Sequence, residues 1–255
     1  MDSKLKYSLS SLGLIIALLF GAVISVPDDK LHLIFCDVGQ GDAILAVKGE
    51  TQILIDGGPN DKVLGCISNH LPFWDRTIEM VVLTHPDSDH ITGLISVIQR
   101  YSVDQIMANS LVPDTAQFSK FRAEVINKKI PVFSPKSGDK IKISNLTIKI
   151  LFPLEKAGDE IVWQTNDQSQ VLGAVYKGNF NQTAIVSESE YGQFRALLTG
   201  DTGIDQEKQF EPGLETINVL KVAHHGSKFS TSDEFLAKAR PSLAVISVGV
   251  NNRYG

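Results

Sequence analysis

Four of the chain's six histidines fall in two short clusters, Thr84-His85-Pro86-Asp87-Ser88-Asp89-His90 and His224-His225-Gly226-Ser227, and each cluster directly follows an apolar run. The first run, residues 78–84, is rich in β-branched and large side chains, the composition of a strand buried on both faces. It ends at His85, where Pro86 stops further ladder pairing. The spacing of Ile91, Leu94, Ile95 and Ile98 then predicts a helix, which puts the polar cluster on a strand-to-helix turn. On that turn His85 and Asp87 project one way, while Asp89 and His90 at the helix start project another. One short loop can thus serve two metal ions.

Residues 217–223 read as a second strand with His224 at its carboxyl end, and residues 194–199 as a third, followed by Gly200 and Asp201. Three strands that deliver His, Asp, Asp, His, Asp and His at the same kind of end gather nitrogen and oxygen donors over one sheet edge, where ligands bind in α/β folds. Each cluster alone has a plainer reading. The first is then a polar turn with Asp89 capping the helix, and the second a surface pair with an ordinary Gly-Ser turn behind it. Their combination with Asp201 favours a metal site.

At 255 residues the chain is long enough for one sizeable α/β domain and too short for a second beside it. No repeat or low-complexity tract is present, and apolar runs alternate with Gly, Pro, Asn and Asp clusters, as expected for many strands with interspersed helices. Periodicity alone says α/β or α+β. The N-terminus is separate in character. Lys4 and Lys6 precede an uncharged stretch over residues 7–27, strongly apolar at 12–26, and Asp28 and Asp29 follow. A secretory signal and a short membrane anchor both have this form. No Ala-x-Ala pair precedes Pro27, so residues 1–29 are expected to form an uncleaved single-pass anchor, with residues 30–255 on the extracytoplasmic side because the positive flank comes first. Cleavage makes the domain secreted. A buried N-terminal core helix is the plain alternative.

Cys36 and Cys66 lack zinc-type spacing. Cys36 lies in an apolar run and is expected as a buried thiol, with a disulfide to Cys66 left open by an oxidising compartment. The net charge of −5 argues against a broad electrostatic grip on nucleic acid but does not exclude a nuclease, since bound divalent cations supply positive charge where a phosphate would sit.

Several segments together resemble the metallo-β-lactamase superfamily, and within it the extracytoplasmic domain of the ComEC competence proteins. They are Phe35-Cys36-Asp37-Val38-Gly39-Gln40-Gly41-Asp42-Ala43, Leu54-Ile55-Asp56-Gly57-Gly58, residues 84–90 with Thr92-Gly93, Asn166 with Ser169, and residues 198–201, 224–227 and 251–255. The likeness begins near Leu31 and runs to the last residue. It implies a four-layer αββα sandwich, here preceded by one N-terminal hydrophobic helix. Two departures from the superfamily pattern stand out. Asp87 replaces the usual second histidine of the loop, as in ComEC-like members, and no histidine stands between His90 and Asp201. The resemblance also implies a His-Pro pair after Gly255, so the chain is expected to lack its extreme C-terminus.

By this resemblance the chain is a metal-dependent hydrolase, expected to be a phosphodiesterase or nuclease that uses two divalent ions, zinc or manganese, to generate a hydroxide nucleophile. His85 and Asp87 are expected at the first ion, Asp89, His90 and His224 at the second, and Asp201 between them. Asp89 also orients the attacking water, and His225 protonates the leaving group. Gln40, Asp42, Asn166 and Ser169 are candidates for touching substrate or completing the first metal site. The implied partners are single- or double-stranded DNA, the membrane through the N-terminal segment, and a separately encoded DNA-uptake channel. Hydrolysis of another ester or a lactam is the competing enzyme reading, and a non-catalytic metal-binding assembly domain the competing class.

Overall fold

The computed structural model describes residues 7, 9–16, 27–155, 176–250 and 252. Strand β1 (Leu31–Phe35) pairs antiparallel with β2 (Ile44–Lys48), which pairs antiparallel with β3 (Thr51–Ile55). Helix α1 (Lys62–His70) and the short β4 (Thr77–Ile78) lead to β5 (Met80–Leu83). Helix α2 (Ser88–Arg100) and the short β6 (Ser102–Val103) then lead to β7 (Ile106–Ala108), and α3 (Ala116–Asn127) to β8 (Val132–Phe133). From β3 onward these strands are parallel, and the six-stranded sheet has the order β1-β2-β3-β5-β7-β8. β4 and β6 form a separate parallel pair.

The second half builds a mirror arrangement. Strands β9 (Lys140–Ile143), β10 (Leu146–Phe152), β11 (Val186–Tyr191) and β12 (Phe194–Leu198) form an antiparallel meander. Helix α4 (Ile204–Phe210), β13 (Val219–Lys221), α5 (Asp233–Ala239) and β14 (Leu243–Val245) follow, with β12, β13 and β14 parallel. The order of this sheet is β14-β13-β12-β11-β10-β9.

Alternation along the strands sorts side chains into layers. Ile44, Ala46, Ile53, Ile55, Met80 and Val82 join Leu146, Ile148, Ile150 and Leu198 of the other sheet in one core, so the sheets pack face to face. Leu45, Leu54, Val81 and Leu83 point the opposite way, against Leu64, Ile67, Leu94, Ile98 and Phe121 of the first three helices. Leu197 and Leu220 meet Phe210 and Phe235 of α4 and α5. This is the αββα sandwich. Central strands buried on both faces read as continuous apolar runs, which is why the sequence shows them so plainly.

Two sequence expectations change. The run at 78–84 is two strands, because Glu79 interrupts it: its backbone N–H donates to Gln52 O at 3.0 Å and its carboxylate accepts the Gln52 N–H. The two cysteines are not thiols. Cys36, just past β1, is bonded to Cys66 in α1 with a Cα–Cα separation of 5.8 Å, so a covalent tie fastens the first strand to the helix layer. The N-terminal helix is seen at residues 9–16, with Leu9, Leu12, Leu14, Ile15 and Ile16 exposed. Among the described residues no helix is long and apolar enough to cross a membrane, and residues 17–26 of the expected anchor lie outside them. Asn166 and Ser169 also lie outside the described residues, as do residues 251 and 253–255.

Candidate metal centre

The carboxyl ends of the parallel strands converge on one edge of the sandwich. β3 ends at Asp56, β5 at Thr84-His85, β12 at Thr199-Gly200-Asp201 and β13 at residues 222–225. The turns are interlocked by backbone bonds: Gly57 N–H donates to His90 O at 2.7 Å, Gly93 N–H to Gly58 O at 2.9 Å, and Gly58 N–H to Asp42 O at 2.7 Å. Such proximity requires glycine at the crossing. A Cβ on Gly93 would lie 1.9 Å from Gly57 O, so the start of α2 rests directly on the turn after β3.

Three histidines are aimed by the hydrogen bonds of their Nδ1 atoms. Thr84 Oγ1 donates to Asp56 Oδ2 at 2.6 Å, which leaves it to accept from His85 Nδ1 at 3.0 Å. His90 Nδ1 donates to Asp56 Oδ2 at 2.8 Å, and His225 Nδ1 to Ser247 O at 2.8 Å. All three Nε2 atoms are thereby turned toward Asp201 Oδ2, at 4.0 Å for His85, 3.4 Å for His90 and 3.3 Å for His225. Asp89 Oδ2 lies 3.4 Å from His225 Nε2, and Asp87 Oδ2 lies 3.6 Å from His85 Nε2. Asp89, His90, Asp201 and His225 form one group close enough to hold an ion. Nδ1 bonds that present Nε2 lone pairs to a shared point are the usual way in which proteins orient metal-binding imidazoles. The Nε2 atom of His85 is buried without a hydrogen-bond partner, an arrangement that costs free energy unless a cation is met there. The donor set of imidazoles and carboxylates therefore fits a divalent metal.

Charge is concentrated here. Burial opposes ionisation of Asp201, yet the charges of His90 and Lys221 hold its carboxyl well below the ordinary range. Burial likewise opposes the charge on His225, but hydrogen bonds to Asp201 and Asp89 push it up to about 9. His90 is also raised, by Asp201 and Asp56 acting against its burial. His85 goes the other way, since burial and the neighbouring His90 charge drive it well down and keep it neutral. Protons on His90 and His225 thus balance carboxylates where a cation would do the same.

The second histidine cluster is arranged differently from the expectation. His224 and His225 both have left-handed backbones, with φ of 48° and 53°, which swings their side chains apart. It is His225 that joins Asp89 and His90; His224 stands 4.0 Å from Asp201 on the outer side, with Asn181 Nδ2 3.4 Å from its Nε2. Gln40 does not reach outward. Its amide accepts from Gly249 N–H at 2.9 Å and donates to Asn252, which donates to His225 O at 3.0 Å, so Gln40 fastens the segment that holds His225. Asp42 is buried and ion-paired with Lys221. Sequence reasoning missed Lys221 and Asn181. A lone lysine inside the strand-like run 217–223 was the available signal, since a charge there must be paired; the polar loop carrying Asn181 offered none. His32 and His70 are remote, the former paired with Asp28 and the latter bonded to Cys66 O.

A cleft of about 480 Å³ opens over this edge. Asp201 and His224 form its floor, with Asn179, Asn181, Gln182 and Phe229 on the walls. Phe229 is 70% exposed, and Lys228 Nζ lies 5.1 Å above its ring.

Residues 36–250 match the Metallo-beta-lactamase superfamily, and the chain belongs to it. Among curated proteins it is 27% identical over 244 residues to ComE operon protein 3 of Bacillus subtilis, covering 86% of this chain. It is 28% identical over 220 residues to Recombination protein 2 of Haemophilus influenzae, covering 84% of this chain. The chain spans only 28% and 24% of the lengths of these relatives. Solved structures that share the fold include the metallo hydrolase Igni18 of Ignicoccus hospitalis, with a TM-score of 0.52, 16% identity and coverage of 85% of this chain and 82% of that one. CmlA, a diiron beta-hydroxylase from Streptomyces venezuelae, matches with a TM-score of 0.50 and 11% identity over 87% of this chain and 45% of that one. A hydrolase and a hydroxylase on one fold leave the reaction to be argued from the site.

Proposed function

We propose that this chain is an extracytoplasmic metal-dependent phosphodiesterase acting on DNA. The observation that carries the reading is the convergence of three imidazole Nε2 atoms on Asp201 Oδ2, where Asp201 also lines a cleft with His224, the amides of Asn179, Asn181 and Gln182, the carboxylate of Asp205 and the exposed Phe229 ring. Two divalent ions, manganese or zinc, are assigned here: one to Asp89, His90, Asp201 and His225, the other to His85, Asp87 and Asp201. When bound, such ions lower the pKa of water and polarise a phosphoryl oxygen. The chain's own residues do the rest. Asp89, its side chain 26% exposed and 3.4 Å from His225 Nε2, orients the attacking water and takes its proton. His224, on the outer side, hands a proton to the leaving oxygen, a role the sequence suggested for His225; burial holds its imidazole below the ordinary range, so the role is filled by its protonated fraction. Asn179, Asn181 and Gln182 offer amide donors to phosphate oxygens, and Phe229 offers a face on which a nucleobase can stack, with Lys228 beside it.

The location outside the cytoplasm is supported by the Cys36–Cys66 disulfide, which persists in oxidising compartments, and by the Lys4 and Lys6 flank before the apolar stretch. Residues 1–29 act in this reading as the anchor for the hydrolase domain. The likeness to ComE operon protein 3 and Recombination protein 2, with the resemblance to ComEC proteins, supports DNA as substrate and a DNA-uptake channel as the neighbouring partner. Cleavage of single- and double-stranded DNA with manganese or zinc tests the reading, with Asp89→Asn and Asp201→Asn alongside. Metal-dependent cleavage lost in both variants is expected. Bound metal with no cleavage would redirect the search to other esters or lactams, and metal with no turnover of any of these would favour an assembly domain.

A further inference from the structure

We propose that Lys221 is a positioning residue that divides the two oxygens of Asp201, reserving Oδ1 for its own ammonium and leaving Oδ2 alone to be shared between the metal ions. This rests on the two-ion reading above.

The geometry is specific. Lys221 is fully buried at the end of β13, next to Leu198 of β12, the strand that delivers Asp201. Its Nζ donates to Gly200 O at 2.8 Å, forms an ion pair with Asp42 Oδ2, and stands 3.5 Å from Asp201 Oδ1. The other oxygen, Oδ2, has the Nε2 atoms of His85, His90, His224 and His225 within 4.0 Å. One carboxylate thus has one oxygen 3.5 Å from an ammonium, buried and with no hydrogen bond of its own, and the other at the centre of the donor ring. A carboxylate without that restraint can turn and grip a single ion with both oxygens, as carboxylates do in many cation sites. Turning Asp201 in that way would give up its ion pair with Lys221.

Stability alone is a poor reason for this lysine. Burying an ammonium carries a desolvation cost that a well-packed apolar residue would not. A purely structural account needs only the neutralisation of Asp42, and it makes a different prediction. If Lys221 serves Asp42 alone, removing both charges together leaves nothing unbalanced and the metal site unchanged.

The test uses the full chain and manganese alone. Equilibrium dialysis gives the number and affinity of bound ions, and electron paramagnetic resonance tells an exchange-coupled pair from isolated ions. Wild type is expected to take up two ions with a coupled signal. The double variant Lys221→Met/Asp42→Asn, which removes the pair without stranding a charge, is expected to bind the second ion at least tenfold more weakly and to show isolated ions. Lys221→Gln, which keeps a donor for Gly200 O but no charge beside Oδ1, is expected to do the same, and serves if the double variant does not fold. A coupled signal with both ions held as tightly as in wild type, in either folded variant, overturns the proposal while leaving the two-ion reading intact. Fewer than two ions in wild type overturns both.

Discussion

Nδ1 of His90 lies 2.8 Å from Oδ2 of Asp56, and the same carboxylate accepts the Thr84 backbone N–H at 2.8 Å and the Thr84 hydroxyl at 2.6 Å. Asp56 therefore orients two imidazoles, His90 directly and His85 through Thr84, without itself facing the cleft. Carboxylates behind metal-binding histidines are typically worth about 10- to 100-fold in metal affinity. Asp56→Asn is a clean probe because the position has φ of 58°, which asparagine tolerates. Manganese affinity measured by competition with a chelator is expected to fall by about 10- to 100-fold. An unchanged affinity would mean that packing, not this carboxylate, aims the rings.

The two adjacent histidines should separate cleanly by experiment. His225→Gln removes a donor from the Asp89, His90, Asp201 group and is expected to lower the bound-metal count. His224→Gln is expected to keep its metal and lose about 10²- to 10⁴-fold in DNA cleavage through loss of proton delivery. Bis-p-nitrophenyl phosphate sharpens the contrast. Its leaving group departs without a proton, so His224→Gln should cleave it at close to the wild-type rate. Metal loss in His224→Gln, or equal damage with both substrates, would reverse the assignment.

That pair also marks how far the sequence could be read. The clusters His85 to His90 and His224 to Gly226, and the aspartate at 201, were legible because each ends an apolar strand, and parallel strands put such ends on one edge. The sandwich followed from the resemblance rather than from periodicity, which could not tell α/β from α+β. Which histidine of the second pair turns inward was not legible. Consecutive left-handed residues at 224 and 225 decide it, and they are imposed by tertiary bonds such as His224 N–H to Gly200 O, not by local propensity. Lys221 was missed for a related reason: Asp201 reaches it only when β13 pairs with β12, and Asp42 only when the two sheets close. The disulfide was undecidable from spacing, since a 30-residue separation says nothing about whether β1 lies against α1.

The Cys36–Cys66 bond closes that 30-residue loop, so its loss should be felt mainly as restored freedom of the unfolded chain. Loop-closure entropy puts the effect at about 3 to 4 kcal/mol. Cys36→Ser/Cys66→Ser, or wild type in reductant, is expected to show a matching drop in unfolding free energy by denaturant titration. Metal stoichiometry at low temperature should stay the same, because neither cysteine adjoins the donor ring. A drop well under 1 kcal/mol would show that the bond restrains the unfolded chain far less than loop closure requires.

Protons and metal should exchange roles in the pH dependence of stability. His225 is held up to about 9 by its hydrogen bonds to Asp201 and Asp89, against an ordinary value of about 6.5. A raised imidazole stabilises the folded chain fully below pH 6.5 and loses that contribution as pH climbs to about 9, an effect on the order of 3 kcal/mol for this buried ring. Raised His90 acts in the same direction, while depressed Asp201 contributes above its ordinary range and loses its effect in acid. EDTA-treated protein is therefore expected to melt at progressively lower temperature from pH 6.5 to 9. Manganese-loaded protein should not, because the ion displaces the His225 proton and supplies the same charge; its affinity should rise across that window as fewer protons compete. His225→Gln without metal should lose its share of the slope and keep the part that His90 contributes. A metal-free wild type whose melting temperature is flat from pH 6.5 to 9 would show that neither His225 nor His90 is protonated in the folded chain, and that the carboxylates around them are balanced by Lys221 alone.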